Sequence, residues 1–124
     1  MRLASVGIVT SDVPALGALY QLLTGATPVG FEEYVEFSAD GATLAICSQR
    51  SVAAEDAGAL IAGRNRSAVL EFTVADVDAE RARLHPVVSD WVREPTDQEW
   101  GNRSMLFRDP DGNLVNVYSP PPGR

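Results

Sequence analysis

Residues 109–118 read DPDGNLVNVY, a turn that runs into a strand. Pro110 at the second turn position and Gly112 at the fourth suit a type I turn followed by a residue with positive φ. Strand alternation then puts Leu114, Asn116 and Tyr118 on one face and Val115 and Val117 on the other. The aliphatic face is expected to meet helices. The face carrying Asn116 and Tyr118 looks into surroundings that tolerate polarity, which raises the question of what an amide does between two valines.

This hairpin has a counterpart upstream. YVEFSADGATLAICS (34–48) contains two strand-like runs joined by a turn around Asp40 and Gly41. Before it, SDVPALGALYQLLTG (11–25) starts with Asp12 as a cap and Pro14 in the first turn, and places Leu16, Leu19, Tyr20 and Leu23 at helical spacing before stopping at Gly25. RLASVGIVT (2–10) is a further strand. The second half repeats the order, with SAVLEFTV (67–74) as a strand and ADVDAERARL (75–84) as a short helix capped by Asp76. SDWVRE, RSMLFR and LVNVYS then follow as strands. Superposing SDV (11–13) on ADV (75–77) pairs Ser5 with Val69, and superposing ADG (39–41) on PDG (110–112) pairs Ala45 with Asn116. The stretch between, QRSVAAEDAGALIAGRNR, is rich in Ala, Gly and charge and reads as a linker with one helical turn. The expectation is a single domain of two βαβββ modules, about 1–49 and 66–120, joined by a linker of about 50–65, since neither half is long enough for a core of its own.

The chain has 124 residues, the size of one ordinary domain. Seventeen acidic residues outnumber ten basic ones, all arginine, and the net charge of -7 repels a phosphate backbone, so nucleic acid is not an expected partner. Cys47 is the single cysteine, which excludes an intramolecular disulfide and suits a reducing compartment. Asp12 and Pro14 interrupt any signal-peptide core, and no apolar run approaches the length of a membrane span, so a cytoplasmic protein without membrane contact is expected.

Two stretches resemble a known family. VGIVTSDVPALGALYQLLTG (6–25) and EWGNRSMLFRDPDGNLVNVYSP (99–120) are similar to the vicinal oxygen chelate superfamily, which includes glyoxalase I, extradiol dioxygenases and bleomycin-resistance proteins. Trp100, Gly101, Arg103, Phe107, Asp109, Pro110, Asp111, Gly112 and Asn113 stand in that family's customary order. The resemblance implies an α+β fold of two paired βαβββ modules whose curled mixed sheets form a cleft. Metal-dependent members carry His, Gln or Glu at four inward positions, and the matching positions here hold Ser5, Ala45, Val69 and Asn116. Ala and Val cannot coordinate, a Ser hydroxyl is weak, and a neutral amide binds divalent metals poorly. No metal and no cofactor are therefore expected, and Asn116 stands where the family usually has Glu.

Other residues carry two readings each. Glu71 shares a strand face with Val69 and Thr73, so it either faces the cleft as a base or anchor, or sits exposed at the rim. Cys47 lies on the face of Ala45, lining the cleft or simply filling a small buried space. Trp91 and Trp100 bracket VREPTDQE, read as a loop, and are either platforms for a flat ligand or core and dimer contacts. Arg103 grips a ligand carboxylate or indole, or pairs structurally with Asp109 or Asp111. His85 caps a helix end. The expected function is metal-free binding of a small organic molecule, as in antibiotic sequestration, with Ser5, Cys47, Glu71, Trp91, Trp100, Arg103, Asn116 and Tyr118 as ligand contacts. The alternative is a metal-independent enzyme using Glu71 or Tyr118 for acid–base work. A homodimer is expected in either case, because LASVGIVT and SAVLEFTV are apolar on both faces.

Overall fold

Asp12 begins the first helix as the sequence pattern requires. Its side chain accepts a hydrogen bond from Ala15 N at 3.1 Å, Pro14 sits in the first turn, and Gly25 ends the helix in the left-handed conformation with its N–H on Gln21 O. A computed structural model of the chain, describing residues 1–121, places this helix, α1 (Val13–Thr24), after strand β1 (Val6–Thr10). Three strands follow, β2 (Val29–Phe31), β3 (Tyr34–Ala39) and β4 (Ala42–Ser48), then a second helix, α2 (Gln49–Asp56). The second half continues with β5 (Val69–Thr73), α3 (Val77–Leu84), β6 (Asp90–Asp97), β7 (Arg103–Arg108) and β8 (Leu114–Ser119). The class is α+β, and each half is a βαβββ module, as expected.

Two compact units result, Met1–Gly63 and Arg64–Arg124. In the first, the sheet runs β1-β4-β3-β2, with β1 parallel to β4 and the remaining pairs antiparallel. Leu16 and Tyr20 of α1 are buried together with Phe37 and Ile46 of the sheet, and this apolar layer is the unit's core. Asp40 and Gly41 both take positive φ, 47° and 85°, which makes the β3–β4 turn of the mirror type that suits a two-residue hairpin. Strand β2, which the sequence pattern does not show, is three residues long and fully exposed.

The linker departs from expectation. Residues 49–56 form two turns of helix, capped by Ser48 accepting from Ser51 N, and α2 packs on β4 of the first unit. The end of the stretch belongs instead to the second unit, where Asn65 N donates to Asp111 O and Asn65 Nδ2 to Asn113 Oδ1.

The second sheet runs β5-β8-β7-β6, with β5 parallel to β8. Its buried face is Met105, Phe107, Val115 and Val117, covered by Val77 and Leu84 of α3. Asp76 caps α3 through Ala79 N, and His85 is its C-cap residue. The 109–112 turn forms as read, with Gly112 at φ 87°. Each sheet is open, ending in two outer strands that pair on one side only, and both are uncurled in place of the curled sheets expected.

The strand order also corrects the loop assigned to VREPTDQE. Strand β6 continues to Asp97 through Pro95, and it can do so because β6 is an edge strand, where a missing N–H leaves no ladder bond unmade. The register of β6 slips twice against β7, between Trp91 and Arg93 and between Arg93 and Thr96.

Candidate functional site

Cross-strand pairing assembles the site. Glu71 pairs with Asn116, Asn116 with Leu106, and Leu106 with Arg93, so one row spans all four strands of the second sheet. The neighbouring row is Thr73, Tyr118, Ser104 and Thr96. Residues directly opposite one another point to the same side of a sheet, so both rows share the face away from Phe107 and Val115.

Asn116 Nδ2 donates to Glu71 Oε2 at 2.9 Å. A carboxylate accepts only, so this contact also fixes which way the amide points. Its oxygen, Asn116 Oδ1, is buried and has no hydrogen-bond partner. An acceptor in that condition costs about 1–3 kcal/mol unless something donates to it. The residue read from sequence as a polar intruder is therefore an oriented acceptor.

Arg93 reaches the same face by way of the β-bulge. Trp91 pairs with Phe107 but Arg93 pairs with Leu106, so Val92 is the extra residue and the two side chains it separates point to opposite faces. Arg93 Nη2 donates to Ser104 Oγ, while Arg93 Nε is buried without a partner. Sequence reasoning missed Arg93 because plain alternation would set it beside Trp91.

The other candidates fall as follows. Tyr118 is half-buried beside Ser104 and Thr73, and Glu71 is exposed. Trp91 lies on the helix side: its ring meets Phe107 edge-on at 5.3 Å and carries Arg81 of α3 at 3.8 Å from its centroid. Arg103 also turns to α3, gripping Asp78 at 2.8 Å and Asp97 at 2.9 Å rather than Asp109 or Asp111. Hydrogen bonds from Arg103 hold the Asp78 carboxyl below the usual carboxylate range. Neither residue shares the face of Asn116. Trp100 is 68% exposed in the β6–β7 connection. His85 Nδ1 lies 3.0 Å from Arg81 Nη1.

In the first unit, Ser5 is exposed and precedes β1. Ala45 and Cys47 are buried on one face of β4, opposite Gly7 and Val9, and Cys47 Sγ contacts Ile8 O at 3.6 Å. Burial pushes the Cys47 thiol up, which disfavours the nucleophilic thiolate. Gly7 pairs with Ala45 as Glu71 pairs with Asn116, so the strand register reproduces the internal repeat read from sequence. On the same face Tyr34 Oη donates to Glu36 Oε1 at 3.0 Å, which raises the Tyr34 phenol.

The residues do not fit a metal centre. Ala45 offers a methyl, Val69 an exposed isopropyl, and Asn116 spends its N–H on Glu71; no group of three potential ligands is assembled among the described residues. No helix of the described residues is long and apolar enough to cross a membrane.

A model of the glyoxalase/bleomycin resistance protein/dioxygenase superfamily matches residues 2–117, and the chain belongs to that superfamily. An uncharacterized protein of Bacillus subtilis strain 168, YraH, is 41% identical over 51 residues, a stretch that covers 40% of each chain. A protein of unknown function from Agrobacterium tumefaciens C58 is similar in structure, with a TM-score of 0.80 and 27% identity over 96% of this chain and 94% of that one. TnmS3, an antibiotic binding protein from Streptomyces sp. CB03234, shares the fold at a TM-score of 0.71 and 21% identity, covering 97% of this chain and 96% of its own.

Proposed function

We propose that the two βαβββ units act as a single cytoplasmic domain that binds a small organic molecule without a metal ion, on the face of the second sheet carrying Glu71, Asn116 and Tyr118. The observation that carries this reading is the buried, unpartnered Asn116 Oδ1, held in place by Glu71. Without a ligand it is an uncompensated cost, and a donor from a bound molecule removes that cost. The likeness in fold to an antibiotic binding protein supports sequestration as the use of such a site.

A screen of an organic library by thermal shift is expected to give stabilising compounds whose binding weakens by about 1 kcal/mol, roughly fivefold, in Asn116→Ala. Added zinc or manganese is expected to leave stability unchanged. Stoichiometric metal in protein purified without added metal, or compounds that bind Asn116→Ala as tightly as the native chain, contradict the reading. A second reading, acid–base catalysis by Glu71 or Tyr118, draws on the exposed Glu71 carboxylate, whose one described contact is Asn116. Conversion of any binding compound to product would select it.

The assembly we propose is a homodimer. Leu3 and Val6 beside or within β1, and Val69 of β5, are 83%, 47% and 46% exposed, on strands that form the outer edges of their sheets. Apolar edge strands left open invite pairing with another chain. Light scattering is expected to give twice the chain mass, and a monomer mass across a wide concentration range excludes this.

A further inference from the structure

The row across the second sheet is electrically polarised. Its β5 end carries the Glu71 carboxylate and its β6 end the Arg93 guanidinium. Arg50, Arg81, Arg83 and Arg103 are each paired with a carboxylate, but Arg93 has no such partner among the described residues, and its Nε–H is buried and unused. Arg93 is half-buried, and a cation with a buried, unused N–H and no carboxylate beside it favours an anion at that point. At the other end of the row, Glu71 repels anions and Asn116 Oδ1 asks for a donor.

Asn116 and Arg93 stand on alternate strands, roughly 10 Å apart at the backbone for strand spacings of about 4.8 Å. Half-buried Leu106 lies between them in the row and offers an apolar floor. A molecule that meets both polar side chains has to cross the strip over Leu106.

On the binding reading given above, we propose that the ligand is a flat hydroxy acid or a related organic anion, with its oxyanion on Arg93, its ring over Leu106, and a hydroxyl or N–H at the far end donating to Asn116 Oδ1. The bulge at Val92 is what makes this possible, because it turns Arg93 out of the helix-side layer and onto the binding face. Ser104 Oγ, accepting from Arg93 Nη2, holds the guanidinium toward the Tyr118 row.

The test uses 4-hydroxybenzoate, its neutral methyl ester and benzoate as probes, titrated into the full chain while the Arg93 Nε–H and Asn116 amide resonances are followed. The acid is expected to bind about tenfold more tightly than the ester, since a charge-assisted bond is lost with the ester, and to shift both resonances. Benzoate is expected to bind about fivefold more weakly than 4-hydroxybenzoate, and in Asn116→Leu that difference should vanish. In Arg93→Met the preference for acid over ester should disappear, and in Arg93→Lys part of it should remain. Equal binding of acid and ester to the native chain overturns the inference, as does a preference that survives Arg93→Met, or failure of acid and ester alike to bind at millimolar concentration. A neutral library compound that shifts the Asn116 amide but leaves Arg93 Nε–H unmoved overturns it too while upholding the binding site itself. Library compounds that never touch Asn116 instead sink the binding reading.

Discussion

Truncation of Phe107 to alanine is expected to destabilise the second unit by about 3–5 kcal/mol in urea unfolding. Phe107 is fully buried in the layer between the sheet and α3, and its ring meets Trp91 edge-on at 5.3 Å and 64°. Removing it opens a cavity that Met105 and Val115, themselves fully buried, cannot fill without leaving their rotamers. The emission of Trp91 should shift as well, because the indole keeps Arg81 above it but loses its aromatic neighbour. Leu106→Ala, one residue away on the opposite face and half-buried, should cost clearly less. A loss below about 1 kcal/mol for Phe107→Ala would mean that Trp91 is not packed in this layer.

That contrast explains which parts of the site could be read from sequence. Alternation placed Glu71 with Val69 and Thr73, and Asn116 with Leu114 and Tyr118, and both assignments hold because β5 and β8 pair without interruption. The same rule fails in β6. The bulge at Val92 moves Arg93 to the other face, so Trp91 goes to the helix layer while Arg93 joins Asn116, and the second slip, before Thr96, resets the alternation. Nothing in DWVREPTD marks the bulge, and Pro95 among polar residues suggests a loop unless one knows that the strand lies at an edge. The internal repeat was legible because capping aspartates and DG turns fix the register at both ends of each module. Strand β2 was not, being short, exposed, and dependent on Gly30 at φ 137°, where a Cβ would come within 2.1 Å of the Tyr34 carbonyl oxygen. Helix α2 has no buried apolar side chain among its described residues, so its composition reads as linker.

The turn that precedes β8 fixes the register on which the site depends, and Asp109 holds that turn. Its Oδ1 accepts from Asp111 N and Asn113 N, both at 2.9 Å, and its Oδ2 from Asn113 Nδ2 at 2.8 Å. Asp109 is 5% and Asn113 3% exposed, so after Asp109→Ala water does not readily replace these bonds. At about 1–3 kcal/mol for each buried donor left unsatisfied, a loss of roughly 2–5 kcal/mol is expected in thermal or urea unfolding. Asp109→Asn keeps the Oδ1 acceptor but turns an amide N–H₂ toward Asn113 Nδ2, and it should fall between the native chain and the alanine variant. Asp111→Ala is the contrast: Asp111 Oδ2 is buried without a hydrogen-bond partner, so its removal should leave the stability equal to that of the native chain or raise it. Binding should suffer beyond what stability alone predicts, because a slip of one residue between β7 and β8 would carry Asn116 to the aliphatic face and bring Val115 or Val117 in its place. If Asp109→Ala unfolds with the native midpoint and binds library compounds as the native chain does, the turn does not set the register, and Asn116 is held by Glu71 and the strand ladder alone.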